Sequence, residues 1–121
     1  THDMGGIRQW WEENREKTQH FYNMMLGKEG TAPQYAEPWI CDQIIEQHLY
    51  SPAMLTVLPW QDWMSASGTL RRNNPKEEQI NVPAISRYYW RYRMHMTVEE
   101  LLQQDTFNSS MKRKIADSGR L

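Results

Sequence analysis

The sequence predicts an α/β fold of the form helix–strand–helix, mostly α-helical with one short strand, a piece of a wound sheet or barrel rather than a whole one. Three observations carry that prediction. First, Ala53-Met54-Leu55-Thr56-Val57-Leu58-Pro59 is the only continuous apolar run with strand character. It is short, contains Thr and Val, and is closed by Pro59, which reads as a strand buried on both faces, the kind found in parallel sheets covered by helices. Second, helix-period patterns precede and follow it. Third, 121 residues suffice for one small domain, whereas an eight-stranded α/β barrel needs roughly 200 or more.

The elements follow in order. Thr1-His2-Asp3-Met4-Gly5-Gly6 is a loop, its two glycines permitting a tight turn. Ile7, Trp10, Trp11, Phe21, Tyr22 and Met25, with Asn14 and Thr18 between them, mark one face of a single helix ending near Leu26-Gly27. Glu12, Glu13, Arg15, Glu16 and Lys17 fill the other face and can form i,i+4 pairs. After a loop over residues 28–37, Pro38 suits the first turn of a second helix. Trp39, Ile40, Ile44, Ile45 and Leu49 form its apolar face, and Ser51-Pro52 ends it.

Beyond the strand, Gln61 or Asp62 can begin a short helix running to Ala66 and stopped by Gly68. Residues 69–85 are polar and proline-punctuated, a long loop. Thr97-Val98-Glu99-Glu100 is a capping box opening a helix with Leu101 and Leu102. A last helix spans about Asn108 to Asp117, with Met111 and Ile115 inward.

Composition narrows the function classes. A net charge of −1 gives no general push toward nucleic acid or anionic membrane. The single cysteine, Cys41, excludes an internal disulfide, points to a reducing compartment, and reads as an inert core thiol on the second helix. His20, His48 and His95 are isolated, so neither a metal site nor a cofactor is expected. No apolar run reaches transmembrane length, and no signal peptide is visible. Six Trp and six Tyr are many for this length; beyond core packing, such rings cover the apolar face of a pyranose. The abrupt start at Thr1 suggests a fragment of a longer protein.

Four stretches could carry chemistry. His2 and Asp3 are either a polar helix lead-in or an imidazole and a carboxylate aimed at a sugar, where a carboxylate stabilises an oxocarbenium-like state. Gln61 and Asp62 follow the strand, where α/β folds place their chemistry, yet a helix N-cap is at least as good a reading. Arg71-Arg72-Asn73-Asn74-Pro75 is either a solvated loop or part of a polar rim. Arg87-Tyr88-Tyr89-Trp90-Arg91-Tyr92-Arg93 alternates bulky aromatics with arginines. It suits single-stranded nucleic acid or a sugar groove, but core aromatics with arginines paired to Glu77 and Glu78 is preferred, because no second basic patch extends a backbone track.

Together these stretches resemble the amylomaltase family of 4-α-glucanotransferases, glycoside hydrolase family 77, a branch of the α-amylase clan. Thr1-His2-Asp3 is similar to the clan's His-Asp motif at the end of the seventh barrel strand. Leu58-Pro59-Trp60-Gln61-Asp62 resembles the family's Pro-x-Gln-Asp at the end of the eighth. Leu70-Arg71-Arg72-Asn73-Asn74-Pro75 is similar to its Arg-Met-Asn-x-Pro loop, with Arg72 in place of Met. Trp90-Arg91-Tyr92-Arg93 resembles its Trp-x-Trp-Arg ending, with Tyr92 for the second Trp. The stretch from Ile80 to Pro83 and the run to His95 are most similar to the branch with the plant cytosolic disproportionating enzyme and its bacterial relatives.

The resemblance implies that residues 1–121 are the C-terminal portion of a (β/α)8 TIM-barrel catalytic domain. It implies a cytoplasmic, retaining enzyme that transfers α-1,4-glucan or glucosyl units between maltose or malto-oligosaccharides and glucan acceptors. Asp3 would be the transition-state stabiliser, His2 a hydrogen-bonding partner of the same sugar, and Asn73 a further substrate contact. Gln61 and Asp62 are assigned only a rim or structural role. The nucleophile and acid/base would lie on the fourth and fifth strands, ahead of Thr1, so this chain alone is expected to be inactive and to self-associate or borrow a partner. No nucleic-acid or membrane partner is expected. A non-enzymatic helical carbohydrate-binding or interaction module is the alternative, and a hydrolase of the same clan is a close enzymatic alternative.

Overall fold

A computed structural model describes residues 5–82, 84–87, 89 and 92–120. Among these residues six α-helices run in the order α1 (Ile7–Glu13), α2 (Arg15–Met24), α3 (Pro38–Leu49), α4 (Trp60–Ser65), α5 (Val98–Leu102) and α6 (Asp105–Asp117), with a 3₁₀ turn over Pro75–Glu78. α3 packs on α4 and α6, and α1 packs on α2, α4 and the 3₁₀ turn. No helix among the described residues is long and apolar enough to cross a membrane.

The expected first helix is two. The backbone leaves helical geometry at Asn14 (φ −120°, ψ 55°), whose amide Nδ2 donates back to the carbonyl of Trp10 at 2.9 Å. A short amide side chain competes with the backbone for such carbonyls, so it interrupts helices. The break folds α2 against α1, and Trp10, Trp11 and Phe21 meet edge to face with centroids 6.1–6.5 Å apart. Trp11 is fully buried, and its indole N–H donates to the Pro33 carbonyl at 2.8 Å. Around it lie Ala32, Ala36, Ile40, Cys41 and Ile44. The chain leaves α2 through Gly27 at φ 65°, a left-handed position that favours glycine.

α3 has the expected bounds. Pro38 occupies its first turn, and Ile40, Cys41, Ile44, Ile45 and Leu49 are buried. Trp39 differs from expectation. It lies at the surface, hydrogen-bonded to Glu37 at 3.0 Å and covered by the Lys28 ammonium. Cys41 is a free buried thiol whose pKa burial pushes up, with Ser65 and nearby cations opposing, as the core reading requires.

The expected strand does not form. Among the described residues there is no β-strand, and residues 55–59 are irregular. Met54 is 99% exposed, Leu55 79% and Val57 80%, the opposite of burial on both faces. A strand needs a neighbour to take its ladder hydrogen bonds, and no second extended segment lies beside this one among those residues. The segment is held instead by side-chain bonds at the end of α3, where Thr56 donates to the His48 carbonyl at 3.2 Å. Arg120 donates to the carbonyls of Leu49 at 2.6 Å, Ser51 at 3.0 Å and Ala53 at 2.9 Å, a cation at a helix C-terminus where carbonyls lack partners. The fold is therefore helix-rich rather than visibly α/β.

The remaining boundaries shift little. α4 begins at Trp60, after Pro59, so neither Gln61 nor Asp62 is its N-cap. The 69–85 loop contains the 3₁₀ turn, capped by Asn74 Oδ1 accepting from the Lys76 N–H at 3.0 Å. Thr97 caps α5 through the Glu100 N–H at 3.1 Å. α6 starts at Asp105, three residues before expectation. Its Lys114 pairs with Asp42 of α3 at 2.9 Å, and Phe107 packs edge-on against Trp60 with centroids 5.9 Å apart.

Candidate functional site

Residues far apart in sequence converge where α1 begins. Asp62, on the first turn of α4, accepts the backbone N–H of Ile7 at 3.0 Å through Oδ1. Gly6 precedes that contact, and a Cβ there would stand 2.9 Å from Asp62 Oδ1. Gly6 is therefore required by close approach, not by a left-handed turn. One residue on, Arg8 is 6% exposed. It forms an ion pair with Glu78 Oε1 at 2.8 Å and donates to the carbonyls of Arg72 and, at 3.2 Å, Asn73. The Gln61 amide donates to the Glu78 carbonyl at 3.0 Å. Arg71 reaches the Ala36 carbonyl at 2.6 Å, fixing the other end of the loop to the core.

The charges feel this burial. Desolvation raises the pKa of Asp62, with the Ile7 N–H opposing. Desolvation likewise raises Glu78, against the hydrogen bond and charge of Arg8. Arg71 is lowered by burial, then by Arg8. The second carboxylate oxygen of Glu78, Oε2, is buried without a hydrogen-bond partner among the described residues and faces the position a Gly6 side chain would take. Adjoining the cluster at Gly6, Ile7 and Asp62 lies a cavity of about 820 Å³, walled by Trp10, Phe21, Ile44 and Leu58 and edged by Glu13, Lys17, Gln47 and His48. Aromatic walls with a few polar edges suit a polar ligand with an apolar face.

His2 and Asp3 lie outside the described residues. Asn73 is exposed, with its carbonyl anchored by Arg8. Gln61 and Asp62 are buried and structural in their contacts. In the aromatic–arginine run, Tyr88, Trp90 and Arg91 lie outside the described residues; Arg87, Tyr89 and Arg93 are exposed. Among the described residues the expected acids are taken by other arginines than Arg87 and Arg93: Arg8 holds Glu78, and Arg72 approaches Glu77 at 3.5 Å. Arg72 also lies over the Tyr92 ring, 5.4 Å from its centroid. Arg8 escaped the sequence reading, and Glu78 entered it only as an acid for the arginines of the aromatic run. The available signal was a charged residue three positions before Trp11, on the same helical face.

The sequence profile of the 4-alpha-glucanotransferase family matches residues 1–98, a span that includes every contact just described. The rice (Oryza sativa subsp. japonica) 4-alpha-glucanotransferase DPE2 is 32% identical over 119 residues, 98% of this chain and 13% of that protein. A 4-alpha-glucanotransferase of Chlamydia caviae is 32% identical over 114 residues, 92% of this chain and 21% of that protein. No solved structure matches. The chain thus spans 13% and 21% of the length of these two curated relatives. A profile that covers most of the chain, and takes in the start of α1, the start of α4 and the Arg71–Asn74 loop alike, shows that this chain belongs to the 4-alpha-glucanotransferase family.

Proposed function

We propose that these residues serve a retaining 4-α-glucanotransferase that moves α-1,4-glucan or glucosyl units between maltose or malto-oligosaccharides and glucan acceptors. The carrying observation is that Arg8 grips the Arg72 and Asn73 carbonyls. It supports a shared sugar subsite, because two motif stretches 64 and 65 residues apart are joined five residues after Asp3. In this reading Asp3 stabilises the oxocarbenium-like transition state, while His2 and Asn73 hydrogen-bond the donor glucose. The chain forms the C-terminal portion of a (β/α)8 barrel in which 53–59 becomes a strand once paired. The free Cys41 thiol fits the reducing cytoplasm.

Retention needs a nucleophile and an acid/base about 5 Å apart. Asp3 alone cannot supply both proton transfer and covalent trapping. The purified 121-residue chain is expected to transfer no glucosyl units from maltose to glycogen. In a whole transferase carrying these residues, Asp3→Asn is expected to reduce transfer by about a hundredfold or more. Transfer by the isolated chain, or undiminished transfer by the Asp3→Asn enzyme, would overturn the reading.

A further inference from the structure

We infer that Arg8, locked in place by Glu78, is a positioning residue for the sugar subsite: it fixes the Asn73 loop against the stretch that carries Asp3. This rests on the subsite proposed above and adds two residues to it.

Arg8 satisfies one carboxylate and two successive loop carbonyls at once. A guanidinium can do so because its donors form a rigid planar fork; a lysine ammonium has no such geometry. Both partners of the ion pair are buried, with side chains 7% and 3% exposed. Burying a charge pair is a poor way to add stability, since desolvation offsets most of the attraction. The pair therefore calls for a geometric explanation, and its neighbours supply one. Glu78 is itself held through its carbonyl by Gln61. It ends a 3₁₀ turn capped by Asn74, the residue after Asn73. Asp62, next to Gln61, holds the N–H next to Arg8. The start of α1, the start of α4 and the 72–78 loop thus form a closed ring of contacts, and Arg8 is the member that touches the loop beside Asn73.

The test is a double-mutant cycle in a whole transferase carrying this chain, read as kcat/KM for maltose-to-glycogen transfer. Asn73→Ala and Arg8→Lys should each reduce it by about tenfold to a hundredfold, since misplacing a group by about 1 Å can cost a factor of a hundred. The double variant should be no worse than the more impaired single one, because Arg8 holds the backbone carbonyl of Asn73, and once the Asn73 side chain is gone that hold has no sugar contact left to position. A merely structural Arg8 would give losses that multiply, and that result overturns the inference while leaving the subsite intact. If Asn73→Ala is silent, the Asn73 assignment and the inference fall together, whereas full activity in Asp3→Asn sinks the functional reading itself. Should Arg8→Lys fail to fold by circular dichroism, Glu78→Gln replaces it in the same cycle. It preserves shape and one acceptor while removing the charge that locks Arg8, so coupling with Asn73→Ala is again expected and multiplying losses are again fatal.

Discussion

Asp62 shows how much one residue's role depends on partners remote in sequence. Read locally, it is a helix N-cap or a rim carboxylate. In the fold it is 7% exposed and receives an N–H from a residue 55 positions away. No local rule encodes that distance, so the role was not legible. Its electrostatics yield a signed prediction. Burial raises the folded-state pKa above the unfolded one, so the folded state binds the proton more tightly. The associated stabilisation is present at pH below the unfolded value and is lost as pH rises through the raised folded value. Near neutrality the ionised, buried carboxylate is therefore a liability. Asp62→Asn keeps an oxygen for the Ile7 N–H and removes the charge. Its melting temperature should exceed the parent's near pH 7, and the advantage should shrink as the pH falls toward the ordinary carboxylate range. A constant difference across that window would contradict the assignment.

Helix boundaries divide cleanly by what determines them. Pro38 at the start of α3 and Thr97 at the cap of α5 obey rules spanning three or four residues, and both were legible. The division between α1 and α2 was not, because apolar spacing runs straight through Asn14. At Asn14 the side-chain amide shares the Trp10 carbonyl with the residue's own N–H, and the backbone leaves helical geometry there. That break lets both indoles and Phe21 cluster, which makes Trp11 the residue on which α1 and α2 depend. Trp11→Ala removes a fully buried ring and its bond to Pro33. The expected loss is about 3–5 kcal/mol, measured as a lower urea midpoint with little change in slope. The 53–59 run failed for a different reason. Strand propensity describes a segment that fits a sheet, and the sheet must come from other strands.

Across the whole molecule, the family could be read from sequence because motifs keep their order even where their geometry is hidden. No sheet is seen, since nothing among the described residues pairs with the one candidate strand. The result is an unusual surface. Met54, Leu55 and Val57 are almost wholly open to water, with Ile85, Tyr89 and Leu102 also exposed. Apolar exposure of this kind favours association. The isolated chain is expected to form concentration-dependent oligomers in light scattering, and Met54→Ser, Leu55→Lys and Val57→Lys together should shift it toward monomer. A monodisperse parent at high concentration would show that this surface is tolerated as it stands.

Arg120 has a bearing on the order in which the molecule matures. It reaches the Leu49 carbonyl across 71 residues of chain, whereas Thr56 clasps the neighbouring His48 carbonyl from only eight residues away, so the turn leading out of α3 has one fastening that forms locally and one that waits for α6. A ribosome emits the two halves of the Arg120 clasp seconds apart at roughly 5–20 residues per second. During that interval the greasy stretch beyond α3 has only its local Thr56 clasp, so the Arg120 contacts are the later ones to form.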